Sequence, residues 1–94
     1  MTDSADRSVG VKLEGCVQGV GMRYQARWKA EELGLTGWIQ NEEDLTVRMH
    51  VEGPSHKVDD FLAWIRQGAA PGSQICRCEA FTEPAEHTDH FEVR

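Results

Sequence analysis

The sequence predicts an α+β fold of the ferredoxin-like type, a split βαβ sandwich with two helices on one face of an antiparallel sheet. The first observation is length, because 94 residues suit one compact domain. The second is the order of the patterned segments, which is β-α-β-β-α-β with a short C-terminal strand. The third is composition, since 39% hydrophobic and 28% charged residues allow a modest core.

The first half of the pattern is a strand followed by a helix. Residues 1–8 are small and polar without a period, so we predict a flexible tail before a domain of residues 9–94. Apolar and polar residues alternate over residues 9–13, as in a half-buried strand. After a glycine-rich stretch, apolar residues recur at helical intervals over residues 22–33, and Gly34 is expected to end this helix.

A hairpin, a second helix and two more strands complete the pattern. Residues 36–41 are β-rich, and a polar turn separates them from the strict alternation of residues 45–52. Residues 53–68 open with glycine and proline and carry one apolar helical face. Residues 75–81 form a strand whose alternation is irregular, so a β-bulge is expected, and residues 91–94 form the last strand. A right-handed crossover leaves the first two strands parallel, with the hairpin partner between them.

Charge and hydropathy exclude two classes of partner. The net charge of −6 has the wrong sign for a protein that binds many nucleic-acid phosphates. No run approaches the roughly 20 apolar residues that cross a bilayer, and the first residues lack the apolar core of a signal peptide. We therefore expect a soluble cytoplasmic protein that binds neither nucleic acid nor membrane, and its solubility and small size favour a monomer.

The cysteines agree with a reducing compartment. Cys16, Cys76 and Cys78 are an odd number without the spacing of a disulfide framework. On a strand, Cys76 and Cys78 would lie about 6.6 Å apart, near the geometric limit of a disulfide. We predict that these cysteines are buried thiols.

The loop before the first helix has the composition of an anion site. Gly15, Gly19 and Gly21 permit positive φ angles, so consecutive backbone N–H groups can point towards one ligand. The positive end of the helix adds to this attraction, and Arg23 offers a planar fork of donors. A tight turn followed by an exposed arginine explains the same spacing. However, a cation is slightly unfavourable at a helix N-terminus, which favours an anionic partner for Arg23.

Asn41 ends the second predicted strand at the same edge of the sheet as this loop. Asparagine before a turn is common, so its placement near Arg23 is what makes it a candidate. A carboxamide can orient a water molecule without removing its proton. No His or Cys base is evident at this edge. The pattern favours a reaction with a good leaving group, such as a carboxylate departing from phosphorus.

Several segments resemble the acylphosphatase family, over nearly the whole chain from about residue 9 to residue 94. They are Gly15-Cys16-Val17-Gln18-Gly19-Val20-Gly21-Met22-Arg23, Leu33-Gly34-Leu35-Thr36-Gly37-Trp38-Ile39-Gln40-Asn41, Val51-Glu52-Gly53 and Val58-Asp59-Asp60-Phe61-Leu62-Ala63-Trp64. The combination is highly specific. The resemblance implies a ferredoxin-like fold and hydrolysis of a small-molecule acyl phosphate to a carboxylate and inorganic phosphate, without metal or organic cofactor.

The resemblance also implies roles for individual residues. Arg23 matches the residue of the family that binds phosphate, and Asn41 matches the one that positions the attacking water. The implied phosphate-binding loop consists of the backbone N–H groups of Gln18, Gly19, Val20, Gly21 and Met22.

Three positions depart from the family pattern. Met22 replaces a common Phe, a change that we expect to be harmless. Leu45 replaces a usual Gly, so we expect the hairpin turn to take a different backbone conformation. Cys78 replaces an aliphatic residue, which agrees with a buried thiol.

The remaining candidate residues receive structural interpretations. His87 to His90 offers no closed set of metal ligands, so we predict no metal site. His50 and His56 are expected to be exposed. The tryptophans are expected to pack in the protein rather than to stack on RNA bases, because the chain is acidic.

Two other functions remain open. The alternative is a non-catalytic ferredoxin-like module that binds a phosphorylated metabolite; it would retain the contacts of Arg23 and would not need Asn41. The chain could also resemble only one domain of a larger assembly, such as the hydrogenase-maturation proteins. The short polar tail and the end at Arg94 favour an independent enzyme.

Overall fold

The computed structural model of the chain describes residues 6–19, 21–69 and 72–94. It contains β1 (Asp6–Cys16), α1 (Met22–Leu33), β2 (Thr36–Asn41), β3 (Val47–Pro54), α2 (Ser55–Arg66), β4 (Gln74–Thr82) and β5 (Phe91–Val93). This is the predicted order of elements with its short final strand. Within the described ranges, neither helix is long and apolar enough to cross a membrane.

The strands form one sheet in the order β4-β1-β3-β2-β5. β3 pairs antiparallel with both β1 and β2, so β1 and β2 run parallel with β3 between them, as predicted. β5 pairs parallel with β2, so the sheet is mixed where an antiparallel sheet was predicted. The reason is that the connection after β4 crosses to the far edge, where β5 meets β2 instead of a strand of opposite direction.

β1 begins at Asp6, earlier than the predicted start at residue 9. Residues 6–8 pair with residues 52–54, because β3 continues to Pro54 and offers backbone partners there. Strand pairing in this segment therefore does not depend on the apolar alternation from which the start was predicted. The rest of the predicted tail, residues 1–5, lies outside the described residues.

The core lies between the sheet and the helices. Each helix buries one face, and the strands contribute the alternating residues of their inner side. Burial of a large apolar side chain contributes about 1.5–3 kcal/mol. The buried residues are Met22, Ala26 and Ala30 of α1, Val58, Phe61, Leu62 and Ile65 of α2, and, among the strand residues, Val9, Val11, Leu13, Ile39, Val47, Met49, Val51 and Phe91.

The cysteines lie on edge strand β4 and at the end of β1. The prediction that they are buried is wrong. Cys16 and Cys76 are exposed and Cys78 is half-buried; all are free thiols. The pairing of β1 with β4 shifts between Glu14 and Gly15 and passes over Cys76, which confirms the predicted bulge in β4. The cysteines are accessible because an edge strand with a bulge leaves much of its surface in solvent.

Candidate active site

The loop between β1 and α1 has a backbone suited to an anion. Gly15, Gly19 and Gly21 have φ angles of 127°, 75° and 78°, a region that favours glycine. A Cβ at Gly19 or Gly21 would meet none of the described atoms within 4 Å. Glycine is therefore favoured at these positions by the backbone conformation and not by a lack of space for a side chain. Gly21 is the N-cap of α1 and has no side chain that could accept from the N–H groups of the first turn. Those donors are left to solvent or to a ligand.

Arg23 and Asn41 line one pocket at the end of this loop. Arg23 is half-buried and Asn41 is exposed, so both can reach a ligand. Val20 lies outside the described residues, and Gln18 of the predicted loop is not part of the wall. The pocket has a volume of about 120 Å³ and is lined by Val17, Gly19, Gly21, Met22, Arg23, Tyr24 and Asn41.

The guanidinium of Arg23 is positioned by the end of the chain. Its Nη1 donates to the backbone oxygen of Arg94 at 2.8 Å. Arg94 is held in turn by β2, because its N–H donates to the carbonyl of Ile39 at 2.8 Å. No local sequence pattern could have indicated this support, since Arg23 and Arg94 are 71 residues apart.

Gln18 links the loop to the turn that follows Asn41. Its Nε2 donates to the carbonyl oxygens of Glu42 at 2.9 Å and of Thr46 at 2.8 Å. The sequence indicated a role only for the backbone of Gln18. Its amide side chain fixes the position of the turn relative to the loop, and thereby the two halves of the pocket relative to each other.

The turn itself is closed by short-range hydrogen bonds. Oδ1 of Asp44 accepts from the Thr46 hydroxyl at 2.6 Å and from its N–H at 3.1 Å. The hydrogen bonds from the side chain and backbone of Thr46 lower the pKa of the Asp44 carboxyl.

Leu45 lies in this turn and not at the start of β3, where it was predicted. Its φ angle is 72°, the left-handed conformation that glycine takes readily. A leucine therefore stands here in a conformation that usually calls for glycine. The hydrogen bonds of the turn hold the backbone, and the leucine side chain, 68% exposed, adapts to it.

His50 is buried, contrary to the prediction that it is exposed. Its side chain is 0% exposed on β3. Nδ1 contacts a carboxylate oxygen of Glu83, and Nε2 contacts one of Glu52 at 2.5 Å. Burial lowers the pKa of His50, but the hydrogen bonds to Glu83 and Glu52 and the charge of Glu86 outweigh it and raise the pKa above 6.5.

The same cluster contains the candidate metal ligands of the described residues. One ligand atom each from His50, Glu83 and Glu86 lies within 4.8 Å of the others. Arg48 also donates to Glu83, at 2.7 Å. His50 and Arg48 thus already hydrogen-bond Glu83, and none of these residues lines the pocket. The cluster is therefore interpreted as a structural ion-pair network.

The remaining predictions are met in part. His56 is exposed, as predicted. Trp38 is buried and Trp64 packs against the core, but Trp28 is 57% exposed, so the prediction that all tryptophans pack is wrong for this residue. Trp28 occupies the outer face of α1, where the helical period places no core residue.

Solved structures share this architecture. An acylphosphatase from Coxiella burnetii has a TM-score of 0.89 at 29% identity, with 95% of this chain and 93% of that chain covered. Full-length HypF, in its phosphate- and nucleotide-bound form, has a TM-score of 0.90 at 21% identity. That likeness covers 96% of this chain and 12% of HypF, and it shows the fold alone.

Sequence comparisons give the family. A family model described as acylphosphatase matches residues 9–93. An acylphosphatase of Arthrobacter sp. (strain FB24) is 43% identical over 91 residues, with 90% of this chain and 83% of the relative covered. The resemblance read from the sequence motifs is thus confirmed, and the chain belongs to the acylphosphatase family of enzymes.

Proposed function

We propose that the pocket hydrolyses acyl phosphates to a carboxylate and inorganic phosphate. The supporting observation is that Arg23 and Asn41 line the same pocket as the glycines of the loop. The N–H groups of residues 18–22 hold the phosphoryl oxygens, Arg23 binds the same group, and Asn41 orients the attacking water.

Local attraction outweighs the net charge of −6 at this site. Each hydrogen bond to a charged group contributes about 1.5–3 kcal/mol, and the loop offers several donors. Exposed carboxylates more than about 10 Å away are screened at physiological salt. A phosphoryl dianion can therefore bind to an acidic protein when its donors are close together.

The reaction needs positioned groups more than it needs a base. The water oxygen forms a bond to phosphorus while the bond from phosphorus to the acyl oxygen breaks, and that electron pair leaves with the carboxylate. The water proton passes to a phosphate oxygen. Asn41 holds the water in line through hydrogen bonds, and the donors around the phosphoryl group stabilise its charge.

We further propose that the enzyme acts as a cytoplasmic monomer without metal or organic cofactor. The free thiols of Cys16, Cys76 and Cys78 agree with a reducing compartment. The chemistry agrees with the absence of a cofactor, because a carboxylate is a good leaving group and needs no Lewis acid.

The proposal is tested by benzoyl phosphate hydrolysis with wild type, Arg23→Gln and Asn41→Ala. We expect Arg23→Gln to raise KM and lower kcat, because the guanidinium contacts the phosphoryl group before and during the reaction. Asn41→Ala should lower kcat by about 10²- to 10³-fold with little change in KM, because only the attacking water loses its support. Arg77→Gln is the control, since Arg77 is an exposed arginine of β4 outside the pocket.

The sensor alternative predicts a different result. A non-catalytic module would bind inorganic phosphate through Arg23 and show no turnover. Full turnover by folded Asn41→Ala protein would refute the role assigned to Asn41.

A further inference from the structure

Two hollows flank Asn41, and they differ in chemistry. The first is the pocket with the glycine loop, Arg23 and Tyr24. The second, which is more open, is lined by Asn41 and the acidic turn residues Glu42, Glu43 and Asp44. The proposed function accounts for the phosphoryl end of the substrate and leaves the location of the acyl group undetermined.

An aromatic strip leads away from the first hollow along α1. Tyr24 and Trp28 are 59% and 57% exposed, although they are among the largest side chains of the protein. Residues four apart in a helix lie on the same side, about 6 Å apart along the axis. Tyr24 also lines the pocket. The strip of Tyr24 and Trp28 therefore begins at the phosphoryl site and extends outwards from it.

Two cations lie near the rings. The guanidinium of Arg27 lies 5.5 Å from the centroid of Tyr24, and the ammonium of Lys29 lies 5.9 Å from the centroid of Trp28. Lys29 also forms a salt bridge with Glu32 at 2.8 Å, so the positive charge beside the rings is that of Arg27. On the other side, the turn presents carboxylates.

The geometry of the reaction selects between the two sides. In-line displacement places the leaving group opposite the attacking water. If Asn41 holds that water, the acyl oxygen faces away from Asn41 and from the acidic turn beside it. The negative charge that develops on the departing carboxylate is then on the side of Arg27 and away from the carboxylates of the acidic turn, which lowers its energy.

We infer that the acyl group of the substrate lies along Tyr24 and Trp28, so that the enzyme favours acyl phosphates with aromatic or extended apolar acyl groups. This inference rests on the proposed function. A short acyl group reaches only Tyr24. A group that extends about 6 Å further also contacts Trp28.

The test measures kcat/KM for benzoyl phosphate and for acetyl phosphate and compares their ratio between variants. We expect Tyr24→Ser to lower the benzoyl-to-acetyl ratio by about 3- to 10-fold, because the stacking contact with the aromatic acyl group is lost. Trp28→Ser should lower the corresponding ratio of kcat/KM for 4-phenylbenzoyl phosphate to that for acetyl phosphate, because the longer acyl group reaches the ring of Trp28. Phe81→Ser is the matched control, because Phe81 is an aromatic residue that is 42% exposed on β4 and lies outside the pocket.

Each outcome has a separate meaning. If wild type hydrolyses none of these compounds, the proposed function fails, and this inference fails with it. If wild type hydrolyses them but Tyr24→Ser and Trp28→Ser keep the wild-type ratios, the proposed function stands and the acyl strip is overturned. Thermal unfolding of each variant establishes that the compared proteins are folded.

Discussion

Leu45 has an unfavourable backbone conformation beside the candidate active site. Its φ of 72° costs a residue with a Cβ about 1–2 kcal/mol. The side chain is 68% exposed, so burial offsets little of this cost. The conformation persists because Asp44 and Gln18 fix the turn through hydrogen bonds to Thr46 and its neighbours.

Leu45→Gly is therefore expected to stabilise the protein. We expect the free energy of unfolding to rise by about 0.5–1 kcal/mol, because the relief of backbone strain exceeds the entropy that glycine adds to the unfolded chain. Urea unfolding measures the change. Glu43→Gly in the same turn is the control: Glu43 has no positive φ, so that variant should lose stability. A loss in both variants would contradict the strain at Leu45.

At the scale of elements, the pocket depends on one contact between a loop and a turn. The β1–α1 loop supplies Gly19 and Gly21, the first turn of α1 supplies Arg23, and the end of β2 supplies Asn41. The amide of Gln18 joins the two through the carbonyls of Glu42 and Thr46. Displacement of a reacting group by about 1 Å can cost 10²-fold in rate, so in the proposed reaction this contact would govern how accurately Asn41 orients the water.

Gln18→Met is expected to lower kcat more than it changes KM. The methionine has a similar length but cannot donate to either carbonyl, so the turn can shift while the backbone of the loop remains. We expect kcat for benzoyl phosphate to fall about 10-fold. Gln40→Met is the matched control, because among the described residues the amide of Gln40 donates to the side chain of Glu42, at 2.6 Å, and to no backbone carbonyl. Equal kinetics of the two variants would show that Gln18 does not position the turn.

The periodic elements could be predicted from sequence, and their long-range partners could not. Residues 36–41 match β2 because β-rich residues with a turn after them are a local signal. The parallel pairing of β5 with β2 depends on where a long connection crosses the sheet, which no local pattern encodes. The exposure of His50 was predicted wrongly for the same reason. His50 lies on the polar side of its strand, and the residues that bury it, Glu83 and Glu86, are far along the chain.

For the molecule as a whole, the cluster of His50, Glu52, Glu83 and Glu86 connects the outer side of the sheet to the segment between β4 and β5. Glu83 and Glu86 approach His50 from that connection, and Glu52 approaches from β3 itself. Trp38 of β2 stacks on the imidazole, with ring centroids 6.0 Å apart. Burial raises the pKa values of Glu52 and Glu83, but the hydrogen bonds with His50, together with those from the Glu86 backbone to Glu52 and from Arg48 to Glu83, outweigh it and lower both pKa values below 4.5.

These shifts set the pH range of greatest stability. The raised pKa of His50 contributes stability that is complete below 6.5 and is lost as pH rises through the folded value. The lowered pKa values of Glu52 and Glu83 contribute stability that is complete above 4.5 and is lost as pH falls through the folded values. We expect stability to be greatest between these limits and to fall above pH 6.5.

Urea unfolding between pH 5 and 9 measures this fall. Its slope is at most about 1.4 kcal/mol per pH unit for one proton. His50→Gln should remove the slope. His90→Gln, which changes an exposed histidine paired with Asp89, should keep it. A wild-type slope in His50→Gln protein would exclude His50 as the titrating group.

The bond from Arg23 to the backbone of Arg94 joins the proposed phosphate-binding residue to the segment that follows β5, the strand at one edge of the sheet. Local opening of this three-residue edge strand would release the guanidinium from its acceptor while β1 stays paired with β3 and β4. Fraying at that edge is therefore expected to disturb the pocket without unfolding the rest of the sheet.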